Sequence, residues 1–190
     1  MSISLDRYLF SVDDYERMGE VGILKEDPRV ELIHGEIVQM SPMYGPHISC
    51  LNRLIRSATS QTNRDYYVQI QCPIRIPSLR SEPEPVLVIL QATYDEGKVP
   101  EVPDILLVGE ISDSTLETDR RVKLPLYAAA GIPEAWLFNL VAVRIERHTD
   151  PQPVGYRTVA YAESGQQLAS TVLPDLVFDT DELIVGRTRT

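Results

Sequence analysis

Residues 103–139 read PDILLVGEISDSTLETDRRVKLPLYAAAGIPEAWLFN, and the reading of this stretch decides the fold. The apolar run 105–108 predicts a buried strand whose pattern stops at Glu110 and Ser112, placing a carboxylate at a strand's end. Ser114 and Glu117 have the Ser-x-x-Glu spacing of a capping box, so a helix opens there, and Lys123 falls about two turns in. Pro125 should kink or split that helix, and Gly131 should stop it. Residues 135–139 then predict another core strand, with Trp136, the sole tryptophan, as a packing residue. A strand ending in a carboxylate, followed by a helix that returns a cation past it, is an arrangement suited to phosphodiester chemistry. A surface glutamate and a solvated lysine are the alternative.

Upstream, Ser11 with Asp14 caps a helix over 11–18, and 19–28 reads as a loop. Two short strands, 30–33 and 36–40, flank the turn at His34-Gly35, with Glu31 alternating against Val30 and Leu32. Taken alone, Glu31 would be a solvent-facing strand residue. Ile48, Leu51, Ile55 and Ala58 have helix spacing over 47–61, and strands are expected at 66–70, 73–76 and 86–90. The proline-rich segment 77–85 and the polar segment 91–102 read as loops. Strand patterns at 143–147, 156–161, 167–173 and 183–185 complete the chain. These alternations give one α/β (α+β) domain over 1–190, comprising an N-terminal helix, a core at 29–140 and an antiparallel C-terminal β tail at 143–190.

With 43% apolar and 24% charged residues the chain has the composition of a globular protein with a sizeable core. Its apolar runs are too short to span a membrane, and Asp6 and Arg7 interrupt any signal-peptide pattern, so a cytoplasmic location is the expectation. Cys50 and Cys72 lie in no Cys-x-x-Cys pair and read as buried thiols, and three scattered histidines offer no zinc spacing. The 28 acidic residues outnumber 18 basic ones, a net charge of −10 that opposes nucleic-acid binding. The arginines nonetheless cluster, at Arg53, Arg56 and Arg64 and again at Arg120 and Arg121 beside Lys123, where solvated helix faces are the simpler account. No glycine-rich phosphate loop, nucleophile elbow or His-Glu-x-x-His helix is present.

Together with RVELIHGEIVQMSPMYGPH at 29–47 and SEPEPVLVIL at 81–90, the deciding stretch resembles the Uma-type family of restriction endonucleases, a domain of unknown function within the PD-(D/E)XK nuclease superfamily. The resemblance covers roughly 13–140. It implies a restriction-endonuclease-like core, with a mixed central sheet flanked by helices, and a magnesium-dependent DNA endonuclease activity in which manganese can substitute. The family pattern carries a Glu in the first hairpin, a Pro-Asp opening the next core strand, a Glu-x-Ser ending the one after, and a Lys on the following helix. Glu31, Glu110 with Ser112, and Lys123 match three of these elements, so the resemblance assigns Glu31 and Glu110 as metal ligands and Lys123 as the catalytic cation.

The Pro-Asp element is missing: Pro85 is followed by Val86. A hard divalent cation takes oxygen ligands, so valine cannot substitute, and losing a unit charge near the ion costs on the scale of ~4 kcal/mol at 4 Å in an effective dielectric of 20. Glu84, two residues earlier and on the same face if the strand extends that far, is the candidate replacement ligand. Asp104 is not one: six residues from Glu110 along one strand is roughly 20 Å. His47 is a candidate phosphate contact. The rival is a catalytically inactive member that keeps the fold as a binding or assembly module. Nucleases of this superfamily commonly pair, so a homodimer is expected.

Overall fold

The structure, a computed structural model, describes residues 6–24, 29–61 and 66–185. Helix α1 (Val12–Glu20) starts at Ser11, whose hydroxyl accepts the Asp14 N–H while the Asp14 carboxylate accepts the Ser11 N–H, the reciprocal cap that the sequence predicts. Strands β1 (Val30–Ile33) and β2 (Glu36–Gln39) pair antiparallel around His34 and Gly35, whose φ values of 51° and 82° suit the two-residue turn. Helix α2 (Gly45–Ser60) takes Pro46 in its first turn, where a missing N–H costs nothing.

Strands β3 (Tyr66–Ile70), β4 (Leu87–Gln91) and β5 (Ile105–Ser112) lead into a helical segment built in three parts: α3 (Leu116–Thr118), a π turn over Asp119–Lys123, and α4 (Leu124–Ala130). Gly131, at φ 87°, ends it in the left-handed conformation that favours glycine. Strands β6 (Glu134–Asn139), β7 (Arg144–Gln152), β8 (Gly155–Ala162), β9 (Gln167–Ala169) and β10 (Val177–Asp179) precede a last turn of helix, α5 (Thr180–Leu183).

The central sheet runs β3-β4-β5-β6-β7-β8, antiparallel throughout except for β5 and β6. A parallel pair needs a crossover, and residues 116–130 supply it in helical form. Apolar layers cover both faces. On one, Leu87, Ile89, Leu107, Trp136 and Phe138 meet α2, with Phe178 standing edge-on to both aromatic rings. On the other, Val88, Val108, Ala135 and Leu137 meet α4. Alternation along β5 therefore turns Val108, Glu110 and Ser112 toward the helical crossover.

Several expectations need correction. Residues 73–76 make isolated bridges from Arg75 to Glu101 and from Ile76 to Ser81 rather than a strand, because Pro73 and Pro77 remove the ladder donors on either side. Strand β5 runs to Ser112, beyond the apolar run, so Glu110 lies inside the strand. The Ser114–Glu117 capping box does not form: Thr115 precedes the helix and no side chain caps it. Pro125 does not split the helix. Dihedrals stay helical from Thr118 to Leu124, since the wide turn before Pro125 relieves the crowding its ring would cause. Residue 183 closes a helix instead of opening a strand, and β7 and β8 extend the central sheet rather than forming a separate tail. Cys50 and Cys72 are both free thiols, but only Cys50 is buried; Cys72, past the end of β3, is half-buried. Arg64 lies outside the described residues. Among those residues, no helix is long and apolar enough to cross a membrane.

Candidate active site

Three segments remote in sequence meet at Lys123. Its Nζ lies 3.1 Å from Glu31 Oε2 and 3.2 Å from Glu110 Oε1, and all three side chains are buried. Glu31 comes from β1, facing inward rather than to solvent, and its Oε2 also accepts the Glu84 backbone N–H at 3.2 Å. Glu110 comes from the inward face of β5, and the Tyr127 hydroxyl of α4 donates to its Oε1 at 2.6 Å. Lys123 closes the π turn, one helical turn before Tyr127.

Burial sets the electrostatics of this cluster. Desolvation pushes the Glu110 carboxyl up to about 8, against the pull of Lys123 and the Tyr127 hydroxyl. Burial also opposes the Lys123 ammonium, but Glu110, Glu31 and Asp119 together outweigh it, and its pKa lies above the ordinary value. The Tyr127 hydroxyl, buried beside these carboxylates, is held well above its usual range.

Asp119 was not among the residues that the sequence pointed to. It is 3% exposed and accepts hydrogen bonds from the Ser112 hydroxyl at 2.6 Å and the Thr115 hydroxyl at 2.7 Å, which tie the end of β5 to the crossover. Burial raises its pKa as well. The spacing that would have found it is Asp119, Lys123, Tyr127, three residues at intervals of four and hence on one side of a helix.

Glu31, Glu110, Asp119 and Lys123 line a cavity of ≈ 240 Å³. Val86 and Glu84 are on its wall, and His47 and Arg29 reach it as well. Strand β4 begins only at Leu87, so the same-face relation between Glu84 and Val86 does not apply; Pro83 and Pro85 keep this stretch out of the ladder. The arginines beside the site are engaged elsewhere. Arg120 donates to Glu146 at 2.5 Å, Arg121 pairs with Glu117 at 2.8 Å, and Arg53 donates to the Glu182 carbonyl at 3.1 Å.

Magnesium fits this donor set poorly. Among the described residues no three His, Cys, Asp or Glu side chains converge to hold an ion. The place between Glu31 and Glu110 is taken by the Lys123 ammonium, and Val86 presents methyl groups where the resemblance calls for a carboxylate.

Comparison with known proteins agrees with this architecture. The crystal structure of "a putative nuclease belonging to DUF820" from Anabaena variabilis ATCC 29413 superposes with a TM-score of 0.70 at 14% identity, covering 92% of this chain and 97% of that one, a likeness of fold. Comparison with curated proteins finds no match. The Uma2 family, described as "Putative restriction endonuclease", matches residues 12–181. On the extent of that match, nearly the whole described chain, this protein belongs to the Uma2 family.

Proposed function

We propose that this chain is a DNA phosphodiesterase of the PD-(D/E)XK type whose affinity for magnesium or manganese is weak or absent while Val86 stands at the aspartate position. The observation that supports it most is the convergence of Glu31, Glu110 and Lys123, from two strands and a helix, on one cavity. Lys123 supplies a fixed positive charge against the negative charge that grows on a phosphorane. Glu110, with its carboxyl raised to about 8, exchanges a proton near neutral pH and is the group to take one from an attacking water. Glu31 holds the ammonium in place from the hairpin side. Glu84, on the same wall, is the carboxylate nearest in sequence to Val86 and the candidate to assist a displaced ion.

Calorimetric titration with Mg²⁺ and Mn²⁺, run beside plasmid nicking, tests the proposal. Weak or undetectable binding by the parent, and binding with nicking by Val86→Asp, is the expected pair of results. Val86 itself favours a second reading, an inactive member that retains the fold as a binding or assembly module. A Val86→Asp protein that folds yet neither binds metal nor nicks DNA would mean that the site has decayed beyond one residue, and would favour that reading. We further propose a cytoplasmic homodimer joined isologously through the β7–β8 hairpin, whose outer strand β8 is the sheet's edge. Light scattering should give twice the 21.4 kDa chain mass at micromolar concentration, and the single-chain mass would refute pairing.

A further inference from the structure

Within the cavity the acidic groups satisfy one another's hydrogen-bonding needs through Lys123, Tyr127, Ser112, Thr115 and the Glu84 backbone. His47 differs. Its Nε2 is buried and has no hydrogen-bond partner, alone in this respect among the described polar side chains that line the cavity. A buried polar atom without a partner is destabilising unless water or a ligand completes it, and one on a cavity wall is placed to be completed by what fills the cavity. Burial holds the His47 imidazole below its ordinary pKa against the pull of Asp119 and Asp113, and Arg29, which shares the wall, adds to the lowering. Its backbone is held at φ 47°, a left-handed conformation uncommon for a non-glycine residue, by the Met40 N–H donating to its carbonyl at 2.8 Å across the base of the β1–β2 hairpin. Its guanidinium donates to the Ser41 carbonyl at 3.1 Å, which seats it on the loop that leads into the helix bearing His47.

We propose that His47 Nε2 and the Arg29 guanidinium together bind a non-bridging oxygen of a phosphodiester, forming the phosphate-recognition edge of the cavity. Resting on the phosphodiesterase reading, this assigns substrate contact to two residues beyond the glutamate–lysine cluster. The ligand class follows from the groups: one planar cation and one imidazole nitrogen on the same wall suit an anion with several acceptor oxygens.

The test uses the full chain and histidine side-chain NMR, which three histidines keep readable. The thymidine dinucleotide TpT, inorganic phosphate and thymidine are titrated separately. TpT should shift the His47 resonances saturably while His34 and His148 stay in place, and thymidine, lacking a phosphate, should shift none. Inorganic phosphate acting like TpT would assign the edge to phosphate in general. His47→Phe should weaken TpT binding about tenfold or more, the scale of one hydrogen bond to a charged group, and His47→Gln, which keeps an N–H at similar reach, should recover most of it. Because Nε2 has no internal partner, His47→Phe should melt no lower than the parent; a clear drop would mark a structural role and overturn the assignment. Equal TpT binding by parent and His47→Phe, with no shift of His47, would refute the inference and leave the proposed function standing. Absence of any TpT binding also overturns it, and metal-dependent nicking by Val86→Asp then decides separately whether the phosphodiesterase reading survives.

Discussion

Replacing Lys123 with methionine keeps most of the side chain's bulk and removes the cation from between Glu31 and Glu110. Contacts of 3.1 and 3.2 Å are each worth about 5 kcal/mol of gross Coulomb attraction at an effective dielectric of 20. At pH 7.5 Glu110, raised to about 8, is largely protonated, so the standing ion pair is Lys123 with Glu31, and the net loss should match the cost of stripping one partner from a buried pair, about 3–5 kcal/mol. At about 2–4 °C per kcal/mol for a chain of this size, the thermal midpoint at pH 7.5 should fall by about 6–20 °C. The deficit should also depend on pH in a defined direction. Glu110 has a folded pKa raised above its unfolded value, so its contribution is fully present below about 4.5 and is lost as pH rises toward about 8. Removing Lys123 raises it further, so the variant should be nearest the parent at acid pH and furthest at alkaline pH. Circular-dichroism melts from pH 5 to 8.5 measure both effects. A drop under about 3 °C that is flat with pH would refute the buried ammonium–carboxylate pairing and the site built on it.

Val86→Asp should lower stability by about 1–3 kcal/mol in chelator, and magnesium should raise its thermal midpoint more than that of the parent, because an ion bound only to the folded site stabilises by mass action. Glu110→Gln should flatten the stability profile: the parent loses stability between about pH 4.5 and 8 as the buried carboxyl ionises, and the difference between the two melting curves isolates Glu110 from Glu82, whose carboxyl burial also pushes up, to about 7.

The strands were legible where burial imposed a pattern. Continuous apolar runs marked β4 and β5, because a strand covered on both faces has no polar side to show. The same logic shortened β5 in the sequence reading, since Glu110 and Ser112 are buried polar residues whose partners, Tyr127 and Asp119, come from another segment. Local signals failed where a tertiary contact outcompeted them. The Ser114 and Glu117 spacing specifies a cap, yet Asp119 takes the Thr115 and Ser112 hydroxyls and sets where the helix begins. Glu31 looked solvent-facing because a strand's alternation tells which residues share a face and not which face is covered. Its burial depends on a lysine 92 positions away, and only the resemblance pointed there. Asp119 and Tyr127 were visible as an interval of four around Lys123, a signal weakened by the absence of any reason to prefer that face.

The π turn over Asp119–Lys123 carries one residue more than an α-helix needs to cover the same axial distance. Shortening the chain there by one, for example by deleting Val122, would let the turn relax to ordinary helix while the segments on either side keep their places. Thr115 and Asp119 would keep their interval of four, as would Lys123 and Tyr127, while the interval between Asp119 and Lys123 would fall from four to three. The latch from Ser112 and Thr115 to Asp119 thus enters the turn from one end and the ammonium bridge between Glu31 and Glu110 leaves it at the other, so chain length there sets how the two are phased. A length change at this turn would move the latch and the bridge relative to one another while leaving the pairing of the sheet's strands untouched.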